Sequence, residues 1–264
     1  MMISDEVQVV VKGSPSQGAS QLAGARSDGL ASTAPNPAWL QIRSNLVVPK
    51  RPLFPRSGVE TGSLSGLERI FDPAVSTCVW RRPPGPALQS YLAGVSLPPA
   101  RERMNVVESS APDLSSILCD FAEGPGRRAL EDDMLILLDL FAILADAHRI
   151  GIRLAITRSA TCPRFHVDRV GLRMICTWQG PGTEWLEHGD VDRRYLGVGV
   201  QAPDGGGAGL LLPGAVVHRM RAFDVGIFKG EDWPGNLGRG AVHRSPACDP
   251  GGPVRVMATF DDLD

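Results

Sequence analysis

IRLAITRSATCPRFHVDRVGLRMICTW, residues 152–178, alternates apolar and polar side chains, whereas the segment before it repeats its apolar residues every three to four. Alternation of period two is the mark of a half-buried strand. The upstream stretch 128–148 carries Met134, Leu135, Leu137, Leu138, Phe141, Leu144 and Ala145 at helical spacing, which predicts an amphipathic helix. Glu131, Asp132 and Asp133 fall in its first turn and His148 and Arg149 at its end, both favourable to the helix dipole. Downstream, short strands are expected at 152–158, 164–170, 172–178, 210–212, 215–220, 223–229, 241–243 and 254–261, most of them separated by Gly/Pro turns.

Working further outward, residues 63–71 read as a short helix, 76–80 as a strand, 86–92 as a helical turn or two, and 113–121 as a helix capped by Asp113. Helices first and then about eight strands give an α+β chain: a double-stranded β-helix core (jelly-roll, cupin-like) with N-terminal supporting helices. Residues 1–62 read as a poorly ordered leader, because the Gly-, Ser-, Ala- and Pro-rich run between Lys12 and Pro37 has too little apolar surface to offset ordering entropy. Val7–Val11 alone has the texture of an edge strand, and the domain is expected over 63–264.

Composition narrows the function. The 264 residues hold 27 basic and 29 acidic side chains, a formal charge of −2, which argues against a nucleic-acid partner. Apolar residues at 43% are enough for a buried core, and Gly 30 with Pro 22 indicates many turns. No apolar run reaches the length of a membrane span, and the N-terminus has no secretory pattern. The five cysteines are scattered, odd in number and without a CxxC pair, as expected of free thiols in a reducing cytoplasm.

Chemistry gathers around His166, Asp168 and His243. Two residues apart on a strand, His166 and Asp168 project from one face. His243 on a later strand completes a pair of imidazoles and a carboxylate, the donor set of non-haem Fe(II) oxygenases. Arg255, one strand further on, has the planar fork that grips a carboxylate, such as the far end of a dicarboxylate cosubstrate. The competing reading is an ordinary polar pair with a structural arginine. Cys162 and Cys176 flank the HxD segment and are expected to be inert thiols; His188 is expected in a solvated loop, His218 at the surface and His148 at a helix end.

Two Gly/Pro-rich segments, 179–185 and 229–240, either wall a pocket through Trp185 and Trp233 or are turns pinned by core tryptophans. Trp178, Lys229 and Ser245 complete the candidate pocket. No phosphate loop and no GxSxG elbow occurs, so neither nucleotide binding of that type nor a serine hydrolase is indicated.

The segments CPRFHVD (162–168), CTWQGPGTEW (176–185), FKGEDWPGN (228–236) and GRGAVHRSP (238–246) resemble the bacterial family known as domain of unknown function 1826, over roughly residues 64–262. That resemblance implies metal biology, its members often being encoded near zinc-homeostasis genes, and lends no reaction. At a looser level His166, Asp168, His243 and Arg255 look like the metal triad and cosubstrate arginine of the Fe(II)/2-oxoglutarate dioxygenases. This implies an iron- and 2-oxoglutarate-dependent enzyme acting on a small molecule or a protein side chain. The alternatives are a non-enzymatic, cupin-like Zn(II) protein of zinc supply or sensing, and a structural or interaction protein with a vestigial site.

Overall fold

Residues 55–98, 100–196, 209–249 and 251–264 are described in the computed structural model of the chain. The expected strand at Val7–Val11 and nearly all of the expected leader lie outside them. In chain order the elements are β1 (Gly58–Thr61), a 3-10 helix (Leu64–Phe71), β2 (Thr77–Trp80), α1 (Pro86–Gly94), β3 (Arg101–Glu108), α2 (Pro125–Ala145), β4 (Arg149–Thr157) and β5 (Leu172–Gln179). There follow β6 (Glu184–Leu186), two short 3-10 turns, β7 (Val217–Arg219), β8 (Val225–Lys229), β9 (Val242–Arg244) and β10 (Arg255–Asp262).

A seven-stranded sheet runs β1-β2-β8-β5-β10-β4-β3, antiparallel except for the β1–β2 pair. A three-stranded sheet runs β7-β6-β9. Strand parity sorts the side chains of the large sheet onto two faces. Ile150, Ile152, Leu154 and Ile156 of β4, Leu172, Met174, Cys176 and Trp178 of β5, and Val256, Ala258 and Phe260 of β10 join Leu130, Met134, Leu137, Leu138 and Phe141 of α2 in the main core. The opposite parity, represented by Val79, Ala155, Ile175, Phe228 and Met257, packs instead with Trp185 of the small sheet. One face of the large sheet is therefore sealed by helices, and the other meets the small sheet, where the polar positions Arg153, Arg173, Thr259 and Arg255 also fall.

Helix α2 begins at Pro125, whose fixed φ suits a first helical position, and stops at Asp146, which takes a left-handed φ of 53°. It thus starts and ends three residues earlier than the periodicity predicts, so His148 lies past it, exposed beside Asp264, and Arg149 opens β4. The helix expected at 113–121 is a series of turns, with the Asp113 carboxylate accepting from the Ser115 N–H at 2.9 Å. The strand expected at 164–170 is extended loop with a single bridge at His166, and 210–212 contributes only a bridge from Leu211 to Val191. Strands β3 and β6 appear where none was expected. Residues 58–61, assigned to the leader, form β1.

Candidate metal centre

A reciprocal pair of backbone hydrogen bonds builds the centre: His166 N–H donates to the His243 carbonyl and His243 N–H to the His166 carbonyl, each at 3.0 Å. This isolated antiparallel bridge sets the two imidazoles side by side, with ring centroids 4.6 Å apart. Each ring is oriented by its own strand. His166 Nδ1 donates to the Arg164 carbonyl at 2.9 Å, and His243 Nδ1 to the Ala241 carbonyl at 3.1 Å. Because a carbonyl only accepts, both imidazoles carry their proton on Nδ1 when neutral, and both Nε2 lone pairs are free for a metal.

Asp168 closes the triad. Its Oδ1 lies 3.5 Å from His166 Nε2 and its Oδ2 3.1 Å from His243 Nε2, and the donor atoms of the three residues all fall within 4.8 Å of one another. The segment FKGEDWPGN holds this residue in place: Gly230 N–H donates to the Gly171 carbonyl, Glu231 N–H to the Asp168 carbonyl and Asp232 N–H to the Val170 carbonyl. A Cβ at Gly230 would stand 2.1 Å from the Val170 carbonyl oxygen, so that close approach needs glycine.

Burial opposes ionisation of Asp168, but contacts with His166 and His243 and the charge of Arg173 outweigh it, holding the carboxyl well below the usual carboxylate range. Burial likewise opposes the charged form of His166, yet its contacts with Asp168 and the Arg164 carbonyl raise its pKa above the ordinary value. Asp168 Oδ2 is buried, and among the described residues no hydrogen bond is directed at it. Arg173 Nη1 and His243 Nε2 lie within ion-pair reach of that oxygen without the alignment of a hydrogen bond. Two oriented imidazoles and a buried carboxylate oxygen with spare lone pairs fit a divalent metal. Among the described residues no fourth His, Cys, Asp or Glu joins them.

Arg173 was not anticipated. Its Nη1 sits 2.8 Å from Asp168 Oδ2, while Nε and Nη2 make paired bonds of 2.6 and 2.8 Å to Asp261. Its signal in the sequence is a charged residue at the polar parity of the otherwise apolar β5.

A cavity of about 190 Å³ opens on the triad, walled by Arg153, Thr161, Cys162, Arg173, Ile175, Thr183, Arg244, Ser245, Met257 and Thr259. Ser245 is therefore at the site, where its hydroxyl also meets Thr161 at 2.9 Å. Arg255 is 1% exposed and does not itself line the cavity; Nη2 contacts Thr177 Oγ1 at 3.3 Å and Thr183 Oγ1, a wall residue, at 3.4 Å, and Nε donates to the Pro181 carbonyl at 2.9 Å. Its Nη1 is buried without a hydrogen bond, and no acidic side chain pairs with it among the described residues. Burial pushes its pKa down to about 10. Gly180, at φ 84°, permits the packing, since a Cβ there would approach Arg255 Cα to 3.1 Å.

Other candidates sit elsewhere, and parity explains most of them. Trp178 points to the helix-covered face, donating from Nε1 to Asp133 Oδ2 at 2.6 Å. Lys229 shares the parity of Val225 and Ile227, and its Nζ donates to the Asp72 carbonyl at 2.9 Å. Trp233 packs between Lys229 and Phe71, with centroid distances of 5.4 and 6.2 Å, so this tryptophan pins a turn and walls no pocket at the triad. Trp185 is buried between the sheets, stacked at 4.1 Å on His218, which is half-buried on a strand whose neighbouring side chains are exposed. His188 is half-buried, and burial together with Arg193 and Arg239 lowers its pKa to about 4. Cys176 is buried with its thiol pushed up to about 12, as for an inert side chain, whereas half-buried Cys162 borders the cavity.

No helix among the described residues is long and apolar enough to cross a membrane. Among solved structures the chain is similar to the rice dioxygenase for auxin oxidation, at 14% identity over 78% of this chain and 82% of that one, with a TM-score of 0.42. A prolyl-4-hydroxylase of Pseudomonas putida matches at 11% identity over 76% of this chain and 99% of the other, TM-score 0.38. The dioxygenase for auxin oxidation 1 from Arabidopsis thaliana, in a binary complex with 2-oxoglutarate, matches at 12% identity over 76% of this chain and 79% of that one, TM-score 0.36. No curated protein is significantly similar in sequence. Residues 62–261, most of the chain, match one family throughout, and the protein belongs to it: the protein of unknown function family DUF1826.

Proposed function

We propose that the protein is an Fe(II)- and 2-oxoglutarate-dependent dioxygenase on a double-stranded β-helix, the small sheet and the facing part of the large one forming the roll. The observation that carries this is the convergence of His166, Asp168 and His243 with both imidazoles turned by backbone carbonyls so that Nε2 is presented. Three protein donors leave positions for other ligands, whereas structural zinc sites close with four, and this favours a reactive centre over a storage or structural one. Iron with 2-oxoglutarate and dioxygen would supply the oxidising chemistry, with succinate and carbon dioxide as coproducts.

The chain's own part is to bind and orient. His166 and His243 hold their lone pairs in place through Nδ1, and Arg173 restrains the Asp168 carboxylate. Among the described residues Arg255 is a buried cation without an anionic partner, and a dicarboxylate's distal end would supply one, with Thr177 and Thr183 as further hydroxyl partners. The test is anaerobic calorimetry. Wild type takes up one Fe(II) and then binds 2-oxoglutarate. Asp168→Ala loses the metal, and Arg255→Ala keeps it but binds 2-oxoglutarate at least about tenfold more weakly, the loss of a charge-assisted contact. Wild-type behaviour in both variants overturns the assignment, and absence of succinate formation in air overturns the oxygenase chemistry.

A further inference from the structure

Two rows of cross-strand partners lead outward from the triad across the large sheet. In one row Ile175 of β5 stands opposite Thr259 of β10, which stands opposite Arg153 of β4, which stands opposite Met104 of edge strand β3. In the next row Arg173 is followed by Asp261, Gly151 and Val106 in the same order of strands. The inner ends of both rows border the triad cavity. At their outer ends the sheet carries a separate, open groove of about 520 Å³, lined by Met104, Val106, Leu263, Gly151, Arg173 and Arg153 among others. Arg153 and Arg173 line both spaces, so the groove adjoins the metal centre.

The polar groups along this path are unequal. Arg173 is neutralised by Asp168 and Asp261. Arg153, at the junction, has neither an ion pair nor a side-chain hydrogen bond among the described residues, and its neighbour Thr259 is 2% exposed with Oγ1 unpartnered. Beyond them Met104 and Val106 are 75% and 47% exposed, apolar side chains standing on an edge strand that pairs on one side only among the described residues. A guanidinium without a counter-charge matches one carboxylate, and the apolar end matches a hydrocarbon or aryl body.

We propose that this groove is the substrate site: the substrate is a small carboxylic acid with an apolar body, its carboxylate held by Arg153, where the groove adjoins the triad cavity, and its body laid over Met104, Val106 and Leu263. The assignment of this ligand as substrate rests on the oxygenase reading, whereas the binding itself does not need the metal. Arg153 is then a specificity residue, distinct from Arg255, which serves the cosubstrate.

The test titrates metal-free protein calorimetrically with 4-phenylbutyrate and with the uncharged 4-phenylbutanamide. The acid binds wild type, the amide binds at least about tenfold more weakly, and Arg153→Gln removes that preference while Arg153→Lys restores part of it. Met104→Glu, at an exposed position, weakens the acid by charge repulsion. In parallel, 2-oxoglutarate is titrated into the Mn(II)-loaded protein, where Arg153→Gln changes its affinity far less than Arg255→Ala does. Failure of the acid to bind wild type, or equal binding to Arg153→Gln, overturns the groove and leaves the oxygenase reading standing. A loss of 2-oxoglutarate affinity in Arg153→Gln as large as in Arg255→Ala overturns it too, by making Arg153 the cosubstrate anchor. Acid binding through Arg153 without any 2-oxoglutarate binding supports the groove and sinks the oxygenase reading instead.

Discussion

Arg173 shows how one side chain tunes a centre it does not itself ligate. It contacts Asp168 with one nitrogen and is fixed by two bonds to Asp261, so the carboxylate is steered by a guanidinium that cannot swing away. Removing such a support weakens metal affinity by about 10- to 100-fold in comparable sites. Arg173→Gln is expected to do the same, with Arg173→Lys intermediate, in a competitive Mn(II) titration; an unchanged affinity would reduce Arg173 to a strand-pairing residue. His188 gives a pH prediction of definite sign. Its pKa is about 4 in the folded protein against 6.5 ordinarily, because burial and the charges of Arg193 and Arg239 disfavour its cation. Between these values the unfolded chain binds more protons than the folded one, so stability falls as the pH drops from 6.5 towards 4. His188→Gln flattens that slope in urea titrations run across the window. His166 works the other way, its raised pKa adding stability that is lost as the pH rises through it.

Among the elements, β5 matters most because its two parities serve different purposes. Its apolar parity packs under α2 and ends in Trp178, bonded to the same Asp133 that pairs with Arg82 at 2.6 and 2.7 Å. Arg82 and Asp133 are 10% and 17% exposed at their side chains, so removing one strands a largely buried charge. Asp133→Ala is expected to cost about 3–5 kcal/mol by urea denaturation. Metal affinity measured below the transition should stay at the wild-type value, since the helix-covered face does not border the triad. Here the sequence is both informative and misleading. The alternation of 172–178 names the strand correctly, and the same alternation puts Trp178 with Cys176 and Met174, away from Ile175 and Thr177 on the site side. Strand β6 escapes notice because three residues between the Gly/Pro-rich 179–183 and the acidic 187–192 leave no period to read. Strand β3 escapes because Arg101, Glu102, Arg103, Asn105 and Glu108 make it look like solvated loop, although Arg103 and Asn105 are satisfied by Asp120 and Ser116.

Across the whole molecule, the division of labour between the two faces of the large sheet explains why the triad was legible and its surroundings were not. His166, Asp168 and His243 are chemically conspicuous, and strand order alone brings a late strand beside an early segment. Arg153, Arg173 and the role of FKGEDWPGN depend on which strands become neighbours, as when β10 inserts between β4 and β5, and nothing local in the sequence states that pairing. The central claim is that these three side chains form one metal centre. Its most direct test is a crystal grown anaerobically with Fe(II) and measured at the iron absorption edge. A single strong anomalous peak is predicted about 2 Å from His166 Nε2, His243 Nε2 and an Asp168 carboxylate oxygen, a usual metal–ligand distance. A peak seated elsewhere, or none at the triad in iron-saturated crystals, contradicts it.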